Sequence, residues 1–231
     1  LRHSNQAVVD ALSSIIEFRS AESGRHVLRL RRLTQILLED VAKSCPEYGL
    51  TERDIRGISS AASLHDIGKI AIPDAILNKN QPLSPQEFEV MKTHTLSGSR
   101  MLENLSGAAD RDYLRYAYNI CRYHHERWDG RGYPEGLRGD QIPICAQVVG
   151  LADAFDALTS DRSYKAAYPY ERAVNMILAG ECGAFSPRLL ECFKHVRGQF
   201  AELVRCPEED VVPGDLELPA PESAGQMDTL Q

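Results

Sequence analysis

No apolar run in this chain reaches the roughly 18 residues that a membrane-crossing helix needs, so no segment is expected to span a bilayer. No basic n-region followed by an apolar stretch opens it, so no secretory signal is expected. The six cysteines (Cys45, Cys121, Cys145, Cys182, Cys192 and Cys206) are scattered, with no CxxC pair. That pattern speaks against a disulfide framework and for buried free thiols in a reducing, cytoplasmic compartment. Positive charge is in short supply: 26 Lys and Arg against 33 Asp and Glu give a net charge of −7. A general nucleic-acid binder would carry a basic face, so a polymeric nucleic acid is excluded as partner. A small anionic substrate is not, because divalent cations held by a few acids make a locally positive site. Also missing are internal repeats and any alternating apolar run long enough for a core strand.

What remains reads as helix throughout. Apolar residues make up 43% of 231 residues, enough for one large core or two small ones. Residues of about 5–19 place Val8, Leu12, Ile15 and Ile16 on one stripe, and about 25–44 place Leu30, Leu33, Leu37 and Val41 on another. Thr51 followed by Asp54 reads as a capped start for a helix reaching about Asp66. Ser84-Pro85-Gln86-Glu87 is a stronger start, with Ser at the N-cap, Pro at the first helical position and Glu at the third. Its helix is expected to reach about Asn104, with others at about 109–126, 143–158, 170–182 and 186–202. Residues 127–142 hold Gly130, Gly132, Pro134, Gly136 and Gly139, too many breakers for a helix. The reading divides the chain into a connector helix at 1–20, a catalytic domain at 21–205, and a Pro- and Glu-rich tail at 206–231 expected to be disordered. The chain begins at Leu1 rather than Met and is read as a fragment.

Polar residues recur where the stripes are apolar. His26 shares its stripe with Leu30, Leu33 and Leu37; His65 with Ile55, Ile58 and Ala62; His94 with Met91, Gly98 and Met101. His124 follows Ala117 and Cys121, and Asp153 follows Ala146, Val149 and Gly150. Alone, each histidine reads as a hydrogen-bonded core side chain. A buried carboxylate is costlier, several kcal/mol unless a cation or donors compensate it. Five such residues on five helices favour a metal centre. The adjacent pairs His65-Asp66 and His124-His125 diverge by about 100° on a helix, which suits ligands reaching different ions.

The ordered motifs ESGRH, HDIGK, HHERWDGRGYP and ADAFDALTSDRSYK resemble the HD-GYP family, a branch of the HD-domain metal phosphohydrolases, from about Glu17 to Phe200. The resemblance implies an all-α helical bundle around a polynuclear metal site. Its ligands, carried over position by position, are Glu22, His26, His65, Asp66, His94, His124, His125 and Asp153. Asp66 is the natural bridging carboxylate, and Glu22 is associated with a third ion. Two or three divalent ions are implied, and the mixed nitrogen and oxygen set suits iron or manganese better than structural zinc. Lys69, three residues after Asp66, is read with His65 and Asp66 as catalytic, stabilising the phosphate or orienting its attacker.

The activity implied is metal-dependent hydrolysis of cyclic di-GMP to linear pGpG and on to GMP, in second-messenger signalling. Tyr133, Asp156, Arg162 and Lys165 are the expected substrate contacts. The alternatives are an HD phosphohydrolase for another cyclic dinucleotide or a nucleotide, and a cyclic-dinucleotide-binding or partner-docking module with weak catalysis. Upstream receiver or sensor domains and a diguanylate cyclase (GGDEF) partner are what the resemblance suggests. The 4-3-4 spacing of Val8, Leu12, Ile15 and Arg19 fits a helix seam, and with it a homodimer through the N-terminal helix.

Overall fold

The computed structural model describes residues 25–104, 110–161 and 166–205, with Ser13, Ile15, Ile16 and Arg19. Glu22, Arg162, Lys165, most of the N-terminal helix and the tail lie outside these residues. Among the described residues the fold is all-α: α1 (Arg25–Ser44), α2 (Glu52–Ala61), α3 (Asp74–Leu77), α4 (Pro85–Glu103), α5 (Arg111–Tyr123), α6 (Ile144–Thr159), α7 (Tyr170–Leu178) and α8 (Pro187–Arg205).

Both expected caps form. The Thr51 hydroxyl accepts from the Asp54 amide while the Asp54 carboxylate accepts from the Thr51 amide, and Ser84 and Glu87 repeat the exchange with Pro85 at the first turn. Each box satisfies donors that a helix start otherwise leaves orphaned. The expected helix from Thr51 to Asp66 stops at Ala61 instead. The chain tightens into 3-10 turns at Ala62–Leu64 and Ile67–Ala71, with His65 and Asp66 between them. Ile15 and Ile16 differ in burial as well: Ile15 is 64% exposed and Ile16 is buried.

The central element is α6, apolar nearly all round and buried from Cys145 to Leu158 on most of its faces. It packs on α1, α5 and α7, while α1 also meets α2 and α8. Phe155, Phe193 and Phe200 fill the space between α6 and α8 edge-to-face. An all-round apolar helix is stable only in such a position.

Glycines set how closely the ligand-bearing backbones approach. A Cβ on Gly68 would lie 1.9 Å from the His94 carbonyl oxygen, one on Gly98 2.3 Å from Cys121 Sγ, and one on Gly150 2.4 Å from the His124 carbonyl oxygen. The 3-10 segment, α4, α5 and α6 therefore touch backbone to backbone beside their histidines. Overpacking such a contact costs roughly 1–3 kcal/mol, occasionally more. Gly68→Ala meets a carbonyl that cannot swing aside, so it should lower unfolding free energy by at least about 2 kcal/mol in denaturant titration. Gly198→Ala, with open space around its Cβ in α8 and no positive φ, controls for the loss of a glycine as such.

Candidate metal centre

Four histidine rings are fixed through their outer nitrogens. Nδ1 of His65 lies 3.0 Å from the Ala62 carbonyl oxygen, Nδ1 of His94 2.8 Å from that of Met91, and Nδ1 of His124 2.9 Å from that of Ile120. Nδ1 of His26 lies 2.6 Å from Asp156 Oδ2. A carbonyl only accepts, so Nδ1 of the first three must carry the proton. In the neutral ring the lone pair is then on Nε2, and Nε2 points inward. The Nε2 atoms of His65, His94 and His124 are buried without a hydrogen bond, as is Asp66 Oδ1.

These orphaned atoms face one another. His65 Nε2 is 3.1 Å from Asp66 Oδ2 and 3.9 Å from Asp153 Oδ1. His94 Nε2 and His124 Nε2 lie 3.2 and 3.9 Å from the other oxygen, Asp66 Oδ1. His26 Nε2 is 3.8 Å from Asp153 Oδ1. Two groups result: Asp66, His94, His124 and His125, and His26, His65 and Asp153, with the ligand atoms of each group within 4.8 Å of one another. Seven of the eight expected ligands are thereby brought together, and Asp66 turns one oxygen to each group. Imidazole Nε2 atoms and Asp66 Oδ1 that meet without a hydrogen bond fit divalent ions.

Charge in the metal-free protein follows the same division. Burial opposes protonation of His65, but Asp66 and Asp153 outweigh it and raise its pKa to about 9. His124 has less acid beside it, and burial with the neighbouring His65 pushes it down to about 3. Burial works against Asp66 and Asp153 as well, yet Lys69 with His65 and His94 holds Asp66, and His65, His26 and His124 hold Asp153, below the usual carboxylate range. Lys69 Nζ sits 2.7 Å from Asp66 Oδ2.

Asp156 faces His26, not open space. It is buried, and its carboxylate accepts from His26 and from both Nε and Nη2 of Arg29, the latter at 2.9 Å. Burial would raise its pKa; the hydrogen bonds from His26 and Arg29 hold it at about 2. The expected substrate contact is thus a carboxylate that holds the His26 ring: lying one turn beyond Asp153, it turns towards α1. Tyr133 stacks on His125 at 4.7 Å and 29°, with Lys92 Nζ 5.7 Å from its ring centre.

Glu126 had no role in the sequence reading. Its buried carboxylate accepts the amides of Glu135, Gly136 and Leu137 at 2.7, 3.1 and 2.9 Å. It folds the glycine-rich loop back on the His124-His125 pair, and the Tyr133 amide reaches the His125 carbonyl at 3.2 Å. An acid beside two histidines and ahead of a loop rich in unpaired amides was the signal available.

Comparison with known proteins agrees with this geometry. The HD domain family model matches residues 12–186. The chain belongs to the HD domain family. A probable cyclic di-GMP phosphodiesterase of Vibrio cholerae is 40% identical over 204 residues, covering 86% of this chain and 46% of that protein. A 3'3'-cGAMP-specific phosphodiesterase of the same organism is 38% identical over 191 residues, covering 83% and 34%. The chain thus spans less than half the length of these relatives. An HDG"Y"P protein of Bdellovibrio bacteriovorus superposes with a TM-score of 0.57 at 21% identity, over 81% of this chain and 61% of that one, a likeness of fold.

Carboxylates behind a metal-binding histidine tune its affinity by roughly 10–100-fold. Asp156→Asn should therefore weaken Mn²⁺ binding by about that factor in competition titrations with a chelator. Unchanged affinity would remove Asp156 from the centre.

Proposed function

We propose that this chain is a metal-dependent phosphodiesterase that opens cyclic di-GMP to linear pGpG, and that it proceeds to GMP. The carrying observation is Asp66, whose two oxygens face two buried groups of orphaned imidazole nitrogens; the 40% identical relative supports the substrate. Iron or manganese ions bound there would polarise a phosphate and activate water. The protein's own part is positional. His65, His94 and His124 hold their lone pairs inward through the Nδ1 bonds, and Lys69 balances the charge of Asp66 at the point where a phosphate must approach. Glu22 is assigned to a third ion. Tyr133, Arg162 and Lys165 are assigned to the substrate, Tyr133 with the further task of packing His125. Cytoplasmic placement, a dimer through the N-terminal helix, and upstream receiver or sensor and diguanylate cyclase partners belong to the same proposal; no described helix is long and apolar enough to cross a membrane.

The relative specific for 3'3'-cGAMP favours a second reading, the same chemistry on the mixed dinucleotide. The chain loaded with Mn²⁺ or Fe²⁺ should linearise cyclic di-GMP, followed by chromatography of the products, and the ratio of kcat/KM for the two dinucleotides ranks the readings. Replacing both His65 and Asp66 by alanine should reduce turnover to background. Parent-level turnover in that double variant would overturn the mechanism.

A further inference from the structure

Arg19, on the N-terminal helix, uses all five of its N–H donors on a segment some fifty residues away. Nη1 donates to the carbonyls of Lys69 and Ile70 at 3.1 and 2.8 Å. Nη2 donates to the Ile72 carbonyl at 2.7 Å and to Asp74 Oδ1 at 2.8 Å, and Nε reaches the same oxygen at 3.0 Å. The three carbonyls lie at and just beyond the C-terminal end of the 3-10 turn Ile67–Ala71; that of Lys69 also accepts the Ile72 amide at 3.1 Å, and the backbone dipole there favours a cation. A planar guanidinium with every donor engaged fixes orientation as well as position.

That turn starts from Asp66, and Lys69 within it holds Asp66 Oδ2 through its ammonium at 2.7 Å. Arg19 therefore grips the backbone of the residue whose side chain grips the shared carboxylate. Both Lys69 and Asp66 are about six-sevenths buried, whereas Arg19 is about a third exposed, so the clamp reaches from the surface of the domain to its centre.

We propose that Arg19 is a positioning residue for the phosphodiester reaction. It holds the Lys69 ammonium on Asp66, and it makes that placement depend on where the N-terminal helix lies. A helix that shifts or turns relative to the domain pulls the fork off the three carbonyls and frees the Lys69 segment, so the chain ahead of Arg19 has a mechanical route to the centre. The proposal rests on the phosphodiesterase reading, because its readout is turnover.

A double-mutant cycle at Arg19 and Lys69 tests it, on the full chain loaded with Mn²⁺, with kcat and KM measured for cyclic di-GMP and for bis(p-nitrophenyl) phosphate. Arg19→Ala should lower kcat about tenfold with KM and metal content close to parent. In a Lys69→Ala background the same change should matter by less than about twofold, since coupled residues are non-additive. Arg19→Lys keeps the charge but not the fork, and should lie between Ala and parent; it carries the cycle if Arg19→Ala does not fold. Effects that multiply, full activity in Arg19→Lys, or loss of metal in the Arg19 variants alone would overturn the proposal. A parent active on the aryl ester but not on cyclic di-GMP removes the substrate reading only, and the cycle is then read on the aryl ester. A parent inert on both removes the two together.

Discussion

Everything in this fold answers to one requirement: imidazole lone pairs and two carboxylates must face each other in a buried space, where the Lys69 ammonium meets Asp66. Left alone, such a cluster is costly, since buried polar groups without partners lose their hydration and gain nothing. The outer shell shows how it is kept in order. Backbone carbonyls at Ala62, Met91 and Ile120 hold three rings by Nδ1, and Asp156 holds the fourth. Each of those bonds fixes a tautomer and aims an Nε2 inward, the arrangement expected where a cation supplies the missing partner.

Short side chains meet only if their backbones come close. Gly68, Gly98 and Gly150 permit that at the crossings of the 3-10 segment, α4, α5 and α6. The glycine-rich loop needs a different device. A single antiparallel bridge, Asp129 with Arg138, pins its two ends, and the Glu126 carboxylate collects three of its amides. Tyr133 is thereby laid on His125. Packing and polar satisfaction serve the same end, the placing of the side chains that make up the centre.

Much of this was legible in the sequence, because it is local. The Ser84-Pro85-Glu87 and Thr51-Asp54 caps follow from spacing alone, and so do the histidines that interrupt apolar stripes. What was not legible depends on pairings distant in the chain. Asp156 meets Arg29 across 127 positions and Arg19 meets Asp74 across 55, and no periodicity announces either. The expected helix through Asp66 failed for a related reason: Gly68 is pressed against the α4 backbone, and the chain tightens into 3-10 turns to reach it. Ile15 also leaves the stripe expected of it, exposed beside the buried Ile16.

The central claim is that Asp66 is shared between two metal sites. Anomalous diffraction from Mn²⁺-loaded crystals, recorded at the manganese edge, tests it most directly. The account predicts one peak among His26, His65 and Asp153 and a second among His94, His124 and His125, with Asp66 in reach of both, and a third peak only beside Glu22. A single peak, or no peak at one of these two groups, would contradict it.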